Sequence, residues 1–133
     1  MAKRRLNDQI TLTIPREQRF HRVAHLVVGG VAVRLNLTFE NLDDLEVALE
    51  SLLERAHSNG DVTVTVTVSD HSIRTLVGPF EEKIRSELES AHAAGIGLRR
   101  VLDTVVDHVE LSGREDGQWV ELTKNVTRGG PSG

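Results

Sequence analysis

Cysteine is absent from this chain, which excludes disulfides, thiolate metal centres and cysteine nucleophiles. Aromatic residues are almost absent too. Phe20, Phe39, Phe80 and Trp119 are the whole set, so the core must be aliphatic and stacking on nucleic-acid bases is disfavoured. No apolar run approaches the length of a membrane span. Lys3, Arg4 and Arg5 lead into polar residues rather than an apolar signal region, which predicts no export and a cytoplasmic chain. What remains is 133 residues with 38% hydrophobic and 27% charged side chains, the composition of one soluble globular domain.

The net charge of −4 is unevenly spread. Setting aside Lys3, Arg4 and Arg5 leaves 13 basic residues against 20 acidic ones, a body near −7. Such a body is a poor general binder of nucleic acid. It suits a basic protein partner, or simply a solvated acidic surface that maintains solubility.

Periodicity outlines the elements. Ile10 to Ile14 alternates and stops at Pro15, a strand. Phe20, Val23, Val27, Val31 and Leu35 recur at helical spacing, and Gly29-Gly30 within that helix makes sense if another backbone packs closely there. Asn41 is placed to cap a second helix with Asp43 and Asp44 in its first turn and Leu45, Leu49, Leu52 and Ala56 as its buried stripe. Asn59-Gly60 is placed to end it. Valines at 62, 64, 66 and 68 alternate with threonines, a strand with one apolar face. A second strand runs from Ile73 to Val77 and breaks at Gly78-Pro79. Phe80, Ile84, Leu88 and Ala91 form a third helical stripe, and Leu98, Val101, Leu102 and Val105 a fourth. Two strands, His108 to Leu111 and Trp119 to Lys124, flank a polar turn from Gly113 to Gly117. The pattern predicts an α+β two-layer sandwich with helices on one face of a mixed, mostly antiparallel sheet. Residues 1–8 are expected to be a flexible lead, 9–126 the domain and 127–133 a disordered tail.

Gly95-Ile96-Gly97-Leu98 is the most suggestive local string. Two glycines permit φ > 0, and a helix that opens behind them would aim its free N–H groups at an anion. Alone, the structural reading of such a turn is the commoner one. Glu46, Glu50 and Glu54 share a helix face, which needs no function as a solvated face. His21 and His25 lie four apart and could face a metal, but no carboxylate-rich motif accompanies them and Arg19 and Arg22 surround them. Ser72 and Ser112 lack a nucleophile elbow or a paired base. Arg99 and Arg100 could reach phosphates, although the polar face of a helix accounts for them.

Three strings in order resemble the anti-sigma-factor serine kinases of the gyrase and histidine-kinase type ATPase (Bergerat fold) superfamily. Leu45 to Glu54 resembles the helix with the family's Glu-x-x-x-Asn box, Val77-Gly78-Pro79-Phe80 the first glycine box, and Gly95-Ile96-Gly97-Leu98 the second. The closing Gln118 to Lys124 resembles the last strand, and the match spans about residues 9 to 126. The resemblance implies a Bergerat-type sandwich that binds ATP and magnesium. It implies that Glu50 is the general base, Glu54 the magnesium ligand in place of asparagine, and Gly78, Gly95, Gly97 and Leu98 the nucleotide-binding residues. It also implies that Leu76, Glu50 and Gly97 line one cavity.

Two positions depart from the pattern. Leu76 falls where the family's aspartate accepts from adenine, and a carboxylate at Glu54 adds negative charge beside a triphosphate. Losing the adenine acceptor costs roughly 1–3 kcal/mol, about ten- to hundredfold in affinity. Binding of ATP and magnesium is then weak or lost. The leading expectation is a bacterial regulatory protein that binds a sigma factor or an anti-sigma antagonist, with a homodimer among its expected assemblies and the first helix a candidate contact surface, without nucleic acid or membrane. The alternatives are an active ATP- and magnesium-dependent serine/threonine kinase, and a stand-alone α+β interaction module.

Overall fold

The alternating Val-Thr segment and its neighbours pair into one five-stranded sheet, seen in a computed structural model that describes residues 8–35, 37–55, 60–69, 71–89 and 97–126. The strands are β1 (Asp8–Pro15), β2 (Asp61–Val68), β3 (Ser72–Phe80), β4 (His108–Arg114) and β5 (Gly117–Asn125). The helices are α1 (His21–Leu35, entered through a 3-10 turn at Gln18–Phe20), α2 (Phe39–Leu53), α3 (Lys83–Glu89) and α4 (Leu98–Val105). The strand order is β1-β2-β3-β5-β4, and every pairing is antiparallel rather than mixed. The expected α+β sandwich is what forms.

The period-2 pattern decides which face of the sheet is covered. Val62, Val64, Val66 and Val68 are buried, and Ile14, Ile73, Val77, Val120 and Leu122 join them in one aliphatic core. The helices close that core with Leu45, Leu49, Leu52 and Leu53 of α2, Ile84 and Leu88 of α3, and Leu98 and Leu102 of α4. The other face of the sheet is polar. There Thr11 pairs with Thr65 at 3.2 Å and Thr13 with Thr63 at 2.9 Å. Lys124, nearly buried, donates from Nζ to Asp44 of α2 at 2.9 Å and to the Val105 carbonyl at the end of α4 at 3.0 Å, pinning the last strand to two helices.

Several local expectations are corrected. The α1 stripe that reaches the core is Ala24, Val28, Val31 and Ala32, whereas Val23 is exposed. An apolar residue at nearly every position of this helix hid its phase. No atom comes within 4 Å of a Cβ built at Gly29 or Gly30, so no backbone packs on that pair among the described residues. The cap of α2 is Thr38, whose hydroxyl accepts from the Asn41 N–H at 3.1 Å. Asn41 therefore lies inside the helix, which starts three residues earlier than expected, with Glu40 as the acid of its first turn. That helix is finished by Leu53, ahead of Gly60, while Ala56 and Asn59 lie outside the described residues.

Gly78-Pro79 does not end β3. The strand continues to Phe80 across a register shift between Val77 and Phe80, so Phe80 belongs to the strand and not to the third helix. Ala91 lies outside the described residues, as do 1–7 and 127–133.

Candidate functional site

The carboxylates of α2 come first, because the resemblance rests its chemistry on them. Their spacing of four residues places Glu46 and Glu50 along the side of α2 that meets α1. The two histidines of α1 have the same spacing, and the pairs interlock. His25 Nε2 lies 2.8 Å from Glu50 Oε1, and His21 Nδ1 lies 3.1 Å from Glu50 Oε2. His25 turns its other nitrogen, Nδ1, toward Glu46 Oε2 at 3.9 Å. His21 is buried, and Glu50 is about one-third exposed. Burial works to raise the Glu50 carboxyl, but the hydrogen bonds from His25 and His21 and their charge together outweigh it. The group is held below the usual carboxylate range.

The histidines therefore face a carboxylate. Among the described residues, no group of three or more histidines, aspartates and glutamates is placed to hold a metal ion. Glu54 caps the C-terminal end of α2, its side chain 57% exposed and 3.8 Å from Arg55.

Gly97 is the N-cap of α4, with φ −83° and ψ 168°, an extended conformation open to any residue. The left-handed geometry expected of the turn is not present there, and Gly95 lies outside the described residues. Leu98 turns its side chain into the core. Since α4 packs on α2, Glu50, Glu54, Gly97 and Leu98 all belong to the helical layer. Arg99 pairs with Asp103 at 3.1 Å along the exposed side of α4, as a solvated helix face would.

Gly78 belongs elsewhere. It pairs with Thr63 on the polar side of the sheet, and a Cβ there would sit 2.5–2.8 Å from the indole ring of Trp119. Trp119 lies across this glycine, with the Arg114 guanidinium 4.9 Å from its ring and its Nε1 donating to Asp116 at 2.8 Å. Leu76, paired with Thr65 and Glu121, is on the same side. It lines an open depression of about 490 Å³ with Glu110, Leu111, Ser112, Arg114 and Glu121. Among the described residues, Leu76 faces the polar side of the sheet while Glu50 and Gly97 belong to the helical layer, so the three line no common cavity. Sequence reasoning also missed that His21 and His25 serve Glu50. The matched spacing of four on two adjoining helices was the available signal.

No family model matches the chain. Curated relatives do. A serine-protein kinase RsbW of Listeria monocytogenes serotype 4a (strain HCC23) is 24% identical over 144 residues, covering 91% of this chain and 89% of the relative. A serine-protein kinase RsbW of Bacillus cereus (strain B4264) is 21% identical over 143 residues, covering 91% and 87%. Among solved structures, that of the RsbU and RsbW domains of Rv1364c from Mycobacterium tuberculosis superposes with a TM-score of 0.68 at 13% identity. It covers 91% of this chain, which spans about a third (32%) of that longer protein. The resemblance to the anti-sigma-factor serine kinases therefore stands. This chain is similar to the RsbW serine-protein kinases over 91% of its length and shares the α+β fold of the RsbW-containing structure.

Proposed function

We propose that this chain, similar to the RsbW kinases, is a regulatory protein of the anti-sigma kind that works by binding other proteins, on a fold whose ATP site is degraded. The observation that carries this reading is the outer face of α1. Leu26 is 68% exposed and Val33 79% exposed, on the side of the helix opposite Ala24, Val28 and Ala32. A helix apolar on both faces is expected where something covers the second face. Its partners would be a sigma factor, an anti-sigma antagonist, or a second copy of this chain.

The arrangement around the glycine boxes supports the loss of nucleotide. Gly78 is occupied by the indole of Trp119. Both oxygens of Glu50 accept from imidazoles. A carboxyl held at low pKa is also a weaker base than one poised near neutral pH. The engagement of Gly78 and Glu50 by other side chains supports a site without a working cradle for ATP and magnesium, and no phosphoryl transfer is derived from them.

The second reading is an active ATP- and magnesium-dependent kinase with Glu50 as base and Glu54 as magnesium ligand. It is favoured by the exposed, hard-oxygen carboxylate of Glu54 near the end of α2. Calorimetric titration with ATP and magnesium separates the two. No heat at millimolar ATP is expected. Binding tighter than about 100 μM that Glu54→Ala abolishes would establish the kinase reading instead.

A further inference from the structure

The Glu50 cluster does something that neither nucleotide chemistry nor core packing requires. It joins α1 to α2 through titratable groups alone. The groups involved are His21 and His25 of α1 and Glu46 and Glu50 of α2. Other charges nearby are committed elsewhere: Glu54 lies beside Arg55, Asp44 holds Lys124, and Arg99 of α4 holds Asp103. Arg22, the cation between the two histidines in sequence, is exposed.

The geometry points to a proton-dependent tether, in which His21 and His25 act as positioning residues that hold α1 against α2 through Glu50. The chemistry follows from the two nitrogens of an imidazole. A neutral ring donates from one nitrogen only, so a neutral His25 that donates to Glu50 from Nε2 presents a bare Nδ1 to Glu46. A protonated ring donates from both, and its charge then attracts Glu46 as well as Glu50. His21 gains charge against the same carboxylate. One proton on each ring thus converts two hydrogen bonds from neutral imidazoles to a carboxylate into a network of two cations and two anions bridging two helices.

The tether is strongest where the carboxylates are ionised and the imidazoles protonated. A carboxyl whose folded pKa is depressed adds stability above its unfolded pKa and loses it as pH falls through the folded value. An imidazole that meets a carboxylate on folding adds stability while protonated and loses it as pH rises past the range in which it titrates. The acid limit follows from the lowered Glu50 carboxyl and the alkaline limit from loss of the imidazolium charge. Because α1 also presents Leu26 and Val33, this deepens the binding role proposed above and rests on it in one respect. If α1 is the binding helix, its seating responds to protons.

The test uses the whole chain and no partner. Melting temperatures of the wild type and Glu50→Gln are compared from pH 3 to 9. The expected gap favours the wild type, peaks near pH 5–6 at about 2–6 °C, and shrinks on both sides. A gap that is flat from pH 5 to 8 overturns the proposal. His25→Gln, a change on a partly exposed ring, gives a second curve and should reproduce the bell shape. His25→Arg, which keeps a donor and a permanent charge, should keep the gap small and remove the decline above pH 6.5. Carbon NMR of the Glu50 carboxyl reads the tether directly, and its titration midpoint should rise in His25→Gln. An unmoved midpoint also overturns the proposal. None of these readouts depends on binding, so a bell-shaped gap supports the tether whether or not a protein partner is later found, and the binding role stands or falls on its own measurement.

Discussion

Two glycines in this chain carry opposite expectations at the residue scale. Gly78 has no room for a side chain, because a Cβ would enter the Trp119 ring at 2.5 Å, with the ring fixed by Arg114 on one face and by Asp116 at its nitrogen. Gly78→Ala should therefore destabilise the fold by about 1–3 kcal/mol, read as a lower urea midpoint at unchanged slope. Trp119→Leu in the same background should restore part of that loss by removing the obstacle. Gly30 is the reverse case. Nothing lies within 4 Å of its would-be Cβ, and it sits inside a helix, where glycine costs about 0.5–1 kcal/mol relative to alanine. Gly30→Ala should raise the urea midpoint of the monomer. If a complex on this face brings a second backbone close, the same variant should weaken that complex. Its two effects would then separate the needs of the folded chain from those of a partner.

Caps and phases decide what the sequence disclosed at the level of elements. Thr38→Ala should cost about 1 kcal/mol by freeing the Asn41 N–H at the start of α2, whereas Asn41→Ala should cost little, a contrast visible by thermal melting. That cap was missed because Asn41 and Thr38 are equally good capping residues, and only the backbone distinguishes them. Strand β2 was legible because valine and threonine alternate with nothing to shift them. β3 was cut short because Gly78-Pro79 reads as a breaker, while its tertiary partner Trp119 carries the strand through to Phe80. The α1 stripe was misphased because Val23, Val27 and Val31 and Ala24, Val28 and Val31 are both acceptable helical series. For the candidate site, Glu50 was singled out by the resemblance, but its partners lie on another helix 25 to 29 residues away in sequence. Only packing brings such groups together.

At the scale of the molecule, the two layers present unlike surfaces. The outer side of the sheet is covered by threonine hydroxyls that satisfy one another across β1 and β2, whereas the helical layer exposes Leu26 and Val33 on α1 and Phe39 at the start of α2. No described helix is long and apolar enough to cross a membrane. An exposed Leu and Val, one above the other, are the surface on which the proposed protein association rests. The double change Leu26→Glu with Val33→Glu removes the apolar character of that face without touching Ala24, Val28 or the core. It should leave stability within about 0.5 kcal/mol of the wild type, since surface changes away from special features rarely do more. It should also abolish self-association in sedimentation equilibrium and any complex with a sigma factor or antagonist. A double variant that unfolds would place this face inside the folded chain. One that binds and self-associates like the wild type would remove α1 as the contact and leave the binding role without its surface. The variant also isolates the tether, because Glu50, His21 and His25 lie on the other side of α1. A wild-type-like bell in its pH-dependent melting, together with lost association, would show the outer face and the inner clamp to be separable properties of one helix.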